Sequence, residues 1–205
     1  MPRRTAPKKK APEGPLGRED WVKAALHLIA RDGVQAVAVE PLARELGVTK
    51  GSFYWHFANR DALVEAALQD YEARQSIWVV EHYGAIADPR ARLRLMLFSA
   101  FEDEQNGLTF AALAAASEDP RVKPYLRRVT ENRMALGVAS FKALGLDDEE
   151  ARRRALFSYS AYAGYFQLLR AMPDTVRKVS DLSLYVRYLA EALLPEDLAP
   201  PKKKR

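Results

Sequence analysis

The residues of this chain best suited to binding chemistry lie at positions 49–57, which read TKGSFYWHF. The cationic Lys50 can neutralise a phosphate, and the small Gly51 and Ser52 permit close approach to a base edge. Four of the last five positions are aromatic, a density typical of buried segments. The polar residues at its start favour an exposed surface. One side of the stretch is therefore expected to be buried and the other exposed.

If the stretch is helical, its side chains point to two opposite sides of the helix. At about 100° per residue, Phe53 and Phe57 fall within about 40° of each other. Leu42 and Leu46 of the preceding segment would cover that side. The opposite face collects Gly51, Ser52, Trp55 and His56, with Lys50 and Tyr54 on its flanks. The alternative is a core that buries all four aromatic rings, but the small and cationic residues at the amino end favour the divided arrangement.

The elements that must hold this stretch are also predicted to be helical, because apolar residues recur at steps of three and four. The predicted helices span residues 18–32, residues 39 or 40 to 46, about eight residues after the N-cap Thr49, and a fourth segment from the cap Asn59 towards Trp78. Gly47 ends the second helix. Two helices joined by such a turn form a helix-turn-helix, whose second helix enters the DNA major groove.

The run VEPLARELGVTKGSFYWHFANRDALVEAAL resembles the DNA-binding domain of TetR-family (tetracycline-repressor-like) transcriptional regulators. The L-A-x-x-L-G-V turn and the segment K-G-S-F-Y-x-H-F carry the resemblance, which extends over residues 18 to about 70. It implies that Thr49, Lys50, Gly51 and Ser52 face the major groove, that Tyr54 and His56 bind phosphates, that Trp55 lies at the protein–DNA boundary and that Arg60 reaches the DNA backbone.

One departure from the family pattern lies at the start of the second helix. Relatives often carry Ser, Thr or Arg there in contact with DNA, whereas this chain has Ala38, Val39 and Glu40. We therefore expect fewer DNA contacts from that helix, with compensation from the basic amino-terminal arm.

The rest of the sequence also predicts helices, so the expected fold class is all-α, with an N-terminal three-helix helix-turn-helix domain and a larger helical ligand-binding and dimerisation domain. Asp88-Pro89, Asp119-Pro120, Asp147 and Ser180 are predicted to open helices, and Asn106-Gly107 to interrupt the pattern before a short helix over 110–116. The predicted domains are a disordered basic arm 1–17, a helix-turn-helix domain 18–64, a ligand-binding and dimerisation domain 65–195, and a disordered basic tail 196–205.

The net charge of +5 is concentrated at the two ends. Residues 1–17 carry +4 and residues 202–205 carry another +4, which leaves about −3 for the chain between them. Such Pro-rich, Lys-rich ends could lie along phosphates or simply aid solubility, and the final PPKKKR resembles a nuclear import signal.

Composition also bounds the cellular setting. The chain has no cysteine, which excludes disulfides and thiolate chemistry. No run approaches the roughly 18 apolar residues of a membrane span, and the start does not have the pattern of a secretory signal. We expect a cytoplasmic protein without a membrane partner.

The resemblance implies a pocket in the carboxy-terminal domain for a small, largely apolar effector. A ligand alters such a protein only if it binds two conformations with different affinity. The candidate lining residues are Phe98, Phe101, Phe110, Tyr125, Phe141, Phe157 and Tyr162. Plain core packing of the same residues is the alternative.

The resemblance also implies a homodimer, paired through the last two helices as a four-helix bundle. A two-fold dimer places two recognition helices about one turn of DNA apart, which a single copy cannot do. The candidate interface residues are Tyr159, Ala163, Phe166, Leu182, Tyr185, Leu189 and Leu193. In a monomer the same residues would be ordinary core.

An enzyme is the competing class of protein. The sequence contains no G-x-S-x-G, P-loop, Rossmann glycine pattern or metal-ligand spacing, so no catalytic residue, cofactor or metal is expected. The preferred function is a sequence-specific DNA-binding regulator, a repressor released from a palindromic operator by its effector. The alternatives are a transcriptional activator, or a helical adaptor that binds protein partners without DNA.

Overall fold

The structure is a computed structural model that describes residues 16–83, 86–179 and 181–194, and only the backbone of residues 76–82. The disordered tail predicted for 196–205, most of the predicted basic arm, the cap at Ser180 and the side chain of Trp78 lie outside the described residues.

Helices account for nearly all of the described chain, and no strand occurs in it, which confirms the all-α fold class. They are α1 Arg18–Asp32, a 3-10 turn Val34–Ala36, α2 Val39–Leu46, α3 Lys50–Tyr54, α4 Arg60–Tyr83, α5 Pro89–Glu102, α6 Glu104–Ala115, α7 Lys123–Ala143, α8 Asp148–Ala171, α9 Pro173–Val179 and α10 Leu182–Leu193. None of these helices combines the length and apolarity that crossing a membrane requires.

The first two helices begin and end as predicted. Gly33 and Gly47 follow α1 and α2 with φ angles of 91° and 72°, a region that other residues rarely adopt. The backbone N–H of Val48 then donates to the carbonyl of Ala43, which closes the end of α2. The turn into α3 therefore follows directly from the position of Gly47.

The third helix is shorter than the eight residues predicted. It ends at Tyr54, and the N–H groups of both His56 and Phe57 then donate to the carbonyl of Phe53. The first of these bonds spans three residues, the tighter spacing that often closes a helix. The chain turns there, and α4 begins at Arg60 with the Asn59 side chain accepting from the N–H of Ala62, as predicted for a cap.

The prediction that Asn106-Gly107 interrupts the helical pattern is wrong. Both residues lie inside α6, which begins at Glu104 with the Asp103 side chain as its cap. The glycine serves packing, because an ideal Cβ on Gly107 would lie 2.2 Å from the Phe166 ring of α8. A side chain at position 107 would force these two helices apart.

The segment LMLFSAF, residues 95–101 of α5, is apolar at all but one position. Leu93, Leu97 and Phe101 are buried, but Leu95 is 45% exposed, so α5 has one outward face. The predicted cap at Asp147 is confirmed, since its side chain accepts from the N–H of Glu150.

The end of the chain contains one helix that the sequence did not predict, α9. Asp181 caps the next helix, α10, through the N–H groups of Ser183 and Leu184. The core of the larger domain is an aromatic cluster in which Phe101 contacts the rings of Tyr162, Phe166 and Tyr185 at 5.7–5.9 Å between centroids.

Candidate DNA-binding surface and ligand cavity

One side of the TKGSFYWHF stretch anchors it to the domain. Phe53 and Phe57 are buried, and their rings stack 5.6 Å apart. Phe53 also packs edge-to-face on Trp21 of α1, at 5.2 Å. The predicted direction of the two phenylalanines is confirmed, because α1 and α2 cover them with buried side chains such as Leu42.

The other side of the stretch is open to solvent, and we call it the reading face. It comprises Thr49, Lys50, Gly51, Tyr54 and Trp55, all exposed, with the partly buried Ser52 and His56. Trp55 is 88% exposed and Tyr54 55%, which rules out a core that buries all four aromatic rings. Tyr54 keeps its ring packed edge-to-face on Phe53, so the hydroxyl projects from a fixed base.

An ion pair joins the reading face to α2. The Lys50 ammonium donates to the Glu40 carboxylate, with Nζ and Oε1 2.8 Å apart and both side chains exposed. This hydrogen bond raises the pKa of Lys50 and lowers the pKa of Glu40, and the attraction between the charges acts in the same direction. Glu40 therefore occupies one of the donor sites of Lys50 in the free protein.

Arg60 lies apart from the reading face. Its guanidinium donates to the carbonyls of Val37 and Val34, at 2.6 and 2.9 Å, and to the carboxylate of Asp61. These bonds fasten the start of α4 to the 3-10 turn and leave the side chain turned into the domain. The expectation that Arg60 reaches a DNA phosphate is not supported by this geometry.

A second polar cluster links the larger domain to the same region. The Asp119 carboxylate accepts from Arg121 and from Gln35 of the 3-10 turn, and Arg121 also donates to Asp61 at the start of α4. The hydrogen bonds from the Arg121 side chain, and then from its backbone, lower the pKa of Asp119 from 3.8 to about 2. We call this set, Gln35, Asp61, Asp119 and Arg121, the interdomain cluster.

The larger domain contains a cavity of about 730 Å³. Exposed lining residues such as Lys23, His27 and Arg74 place its mouth beside α1 and α4, and its depth lies among α5, α6, α7 and α8. Three of the seven candidate lining residues border it: Phe101, Phe141 and Tyr162.

The other four candidates do not line this cavity. Phe110 packs behind Tyr162, at 5.5 Å between ring centroids, and Phe98 is partly buried on α5. Tyr125 hydrogen-bonds Glu65, and Phe157 is 53% exposed on the outside of α8. Aromatic character alone could not tell cavity lining from core or surface.

Polar lining residues were missed by the sequence analysis. Arg133 of α7 donates through Nη2 to the Gln75 side chain and, at 3.4 Å, to the Tyr71 hydroxyl. Gln75 in turn donates to Asn106 at 2.7 Å. The signal was present, because Arg133 falls four residues after the buried Val129, on the apolar stripe of its own helix.

The candidate dimer residues divide by exposure. Phe166, Leu189 and Leu193 are buried within the chain, so a contact surface does not include them, whereas Tyr159, Ala163, Leu182 and Tyr185 are partly buried. The exposed side of α8 and its C-cap residue instead carry residues spaced four apart, which we call the α8 stripe: Leu156, Ser160, Gly164, Leu168 and Met172. Leu184 and Tyr188 of α10 are also large, apolar and exposed.

A short helix with a solvent-facing lysine and tyrosine, followed by a partly buried histidine and fixed to a preceding helix by a glycine turn, is typical of helix-turn-helix DNA-binding proteins. Residues 22–67 match the family model described as bacterial regulatory proteins, tetR family. Residues 22–67 therefore form a DNA-binding domain similar to those of this family, which supports a DNA-binding transcriptional regulator.

Curated relatives agree with this assignment. The HTH-type transcriptional regulator BetI of Pseudomonas paraeruginosa is 29% identical over 150 residues, which cover 69% of this chain and 76% of BetI. The uncharacterized HTH-type transcriptional regulator YerO of Bacillus subtilis is 28% identical over 119 residues. That match covers 55% of this chain but only 41% of YerO.

The similarity in fold extends beyond the DNA-binding part. A transcriptional regulator from Saccharomonospora viridis, solved in complex with choline, superposes with a TM-score of 0.70 at 17% sequence identity. The match covers 87% of this chain and 96% of the other. The larger helical domain therefore has the same architecture as in that regulator.

Proposed function

We propose that this protein is a homodimeric repressor that binds a palindromic operator and is released from it by a small molecule held in the cavity. The observation that carries the proposal is the reading face, where seven exposed or partly exposed residues lie opposite the two buried phenylalanines. A surface so divided has the form of a recognition helix, which packs on its domain along one side and on DNA along the other.

Each residue of the reading face has a proposed role. The small residues Gly51 and Ser52, with Thr49 and Lys50, enter the major groove, where side chains read base edges. Tyr54 and His56 hydrogen-bond phosphates, which fixes the register of the protein on the duplex. Trp55 packs at the boundary against the sugar–phosphate backbone. Arg60 has no part in this proposal because its guanidinium is used within the domain.

The dimer is proposed to form through the α8 stripe and the exposed side of α10. Leu156, Leu168 and Tyr188 are 57%, 51% and 73% exposed in the single chain, an apolar surface that a partner copy would cover. Gly164 lies at the centre of the stripe, where an ideal Cβ would meet no atom within 4 Å, so a second helix can approach closely. Such a two-fold pairing presents two reading faces to one palindrome.

The effector is proposed to bind in the cavity beside α4. This helix begins at the anchored Arg60 and passes the cavity at Tyr71 and Gln75, so one element contacts both sites. The choline complex of the Saccharomonospora viridis regulator supports a small-molecule role for a domain of this architecture. Release from DNA requires that the ligand bind the DNA-free conformation more tightly.

The test begins with a gel shift on the DNA flanking the gene, followed by titration of a palindromic site found there. Lys50→Ala and Tyr54→Phe are each expected to weaken binding, by roughly tenfold for a base contact and less for a phosphate contact. Lys178→Ala, on the exposed α9, is the matched control and should bind as the unchanged protein does.

Full-strength binding by both variants would overturn the assigned roles of the reading face. Absence of any binding to palindromic DNA would favour a helical adaptor. Transcription in vitro from a promoter that overlaps the site then separates a repressor from an activator.

A further inference from the structure

The cavity contains a cation that no carboxylate among the described residues pairs with. Arg133 lies on the buried side of α7 and lines the cavity. Among the described residues its hydrogen-bond acceptors are the Gln75 amide oxygen and the Tyr71 hydroxyl, and it also interacts with the Tyr162 hydroxyl; all three groups are neutral. Burial raises the pKa of Tyr71 and of Tyr162 above the usual range for a phenol, so both remain uncharged.

The surroundings of the guanidinium are mostly aromatic. Its carbon lies 4.9 Å from the centroid of the Tyr162 ring and 5.3 Å from that of Phe110. The Nη1 atom is inaccessible to solvent and has no hydrogen-bond partner in the described chain. A buried guanidinium with an unsatisfied donor carries a desolvation cost that an anion placed beside it would offset.

The other charged lining groups already have partners. Asp70 pairs with Arg74 at 2.7 Å, and Lys23 lies 4.0 Å from Glu19. Asp103 accepts from the N–H of Asn106 as the cap of α6. Among the described lining residues, Arg133 is therefore the cation without a carboxylate partner, while the Asp103 charge also acts on the Tyr162 hydroxyl.

We propose that the effector is an amphipathic anion whose carboxylate or phosphate group pairs with Arg133 and whose apolar body fills the cavity. This inference rests on the proposed function, in that the cavity is taken to be the effector site. Apolar side chains supply the complementary wall, namely Met96, Leu97, Phe101, Leu136 and Phe141. A cationic ligand would instead be repelled by Arg133, because the interior screens charge less than water does.

A matched series of ligands tests the charge preference on the full chain. Equilibrium dialysis measures binding of dodecanoate, dodecyl phosphate, dodecan-1-ol and dodecyltrimethylammonium, with the alcohol below its solubility limit and each ion below its critical micelle concentration. Both anions are expected to bind at least about tenfold more tightly than the alcohol and the cation, a difference typical of a charge-assisted hydrogen bond. Whichever anion binds more tightly identifies the head group.

Variants then assign the preference to one residue. Arg133→Met keeps the length and apolar stem, and it is expected to abolish the preference for anions over dodecan-1-ol. Arg128→Met is the control, since this arginine lies on the same helix but pairs with Glu72 on the surface and does not line the cavity. The ligand series on the unchanged protein needs no variant, so the proposal stays testable even if Arg133→Met fails to fold.

Equal or tighter binding of the cation, absence of binding by both anions, or an unchanged anion preference in Arg133→Met would each overturn the inference. The gel shift on palindromic DNA is independent of these titrations. A protein that binds DNA but shows no anion preference contradicts only the inference, whereas a protein that binds no palindromic DNA contradicts the proposed function.

Discussion

The Nζ atom of Lys50 lies 2.8 Å from Oε1 of Glu40, which joins the recognition helix to the helix before it through a pair of exposed charges. Glu40 stands where the family resemblance leads one to expect Ser, Thr or Arg in contact with DNA. An acidic residue at that position accepts a hydrogen bond from Lys50 and repels the phosphates of DNA. Both effects make the free energy of DNA binding less favourable.

Glu40→Gln is expected to strengthen operator binding severalfold and to make it more sensitive to salt, because Lys50 becomes free to donate in the major groove and its charge is no longer neutralised. One additional uncompensated cation that faces the DNA steepens the slope of log K against log salt by about 0.9. Fluorescence anisotropy at several KCl concentrations measures both quantities. Glu45→Gln, an exposed change on the same helix, is the control, and unchanged or weaker binding by Glu40→Gln would contradict the role given to the pair.

Leu168→Arg is expected to convert the proposed dimer into a monomer and to weaken operator binding, because the α8 stripe cannot bury a charge against a second copy. Sedimentation equilibrium measures the mass, and circular dichroism checks that the helices persist. Val179→Arg introduces the same charge at a residue that is 80% exposed and lies outside the stripe, so it should remain a dimer. A dimeric Leu168→Arg would place the interface elsewhere.

Gly107→Ala is expected to lower the free energy of unfolding by about 1–3 kcal/mol, since the added methyl would overlap the Phe166 ring in a packed core. Urea denaturation provides the measurement. Gly51→Ala serves as the comparison, because its Cβ would meet only the Thr49 hydroxyl oxygen, at 3.7 Å. The double variant Gly107→Ala/Phe166→Leu should recover part of the loss, and failure of Gly107→Ala to destabilise would show that the two helices can separate at little cost.

The interdomain cluster predicts a dependence of stability on pH. Arg121 lowers the pKa of Asp119 in the folded protein, so the ionised carboxylate stabilises the fold above about pH 4, and this contribution is lost as the pH falls towards about 2. Asp119→Asn should therefore be less stable than the unchanged protein at pH 7, with a difference that shrinks across that window. Thermal unfolding at a series of pH values measures it.

The control for this experiment is Glu118→Gln, which changes the neighbouring carboxylate. Its side chain is 90% exposed and pairs loosely with Lys123, at 3.6 Å. Glu118→Gln should follow the unchanged protein at every pH. A difference between Asp119→Asn and the unchanged protein that stays constant from pH 7 to about pH 2 would exclude titration of Asp119 as its cause.

Local signals in the sequence were sufficient for the DNA-binding part of the fold. Gly33, Gly47 and Asn59 mark the helix ends because backbone conformation and capping depend on nearby residues alone. Asn106-Gly107 misled for the opposite reason. The requirement for Gly107 comes from Phe166, 59 positions later in the chain, and such a contact leaves no local pattern.

The candidate sites show the same limit. Helical periodicity gave the correct direction for Phe53 and Phe57, since one short helix decides it. Periodicity could not show that the Arg60 guanidinium donates to backbone carbonyls in and just after the 3-10 turn. That contact depends on how the start of α4 packs against the turn. Arg133 was missed because the candidate lining residues were chosen for aromatic character, and Arg133 is a cation on an otherwise apolar stripe of α7.

The continuity of α4 has a geometric consequence. Arg60 at its start is fastened to the 3-10 turn, and Gln75, fifteen residues later, borders the cavity. At 1.5 Å per residue these positions are about 22 Å apart, so a tilt of about 5° around one end moves the other end by about 2 Å. A displacement of that size is enough to break a hydrogen bond. If the proposed effector binds in the cavity, we expect α4 to act as a lever arm that carries a small angular change there to the 3-10 turn and the DNA-binding domain.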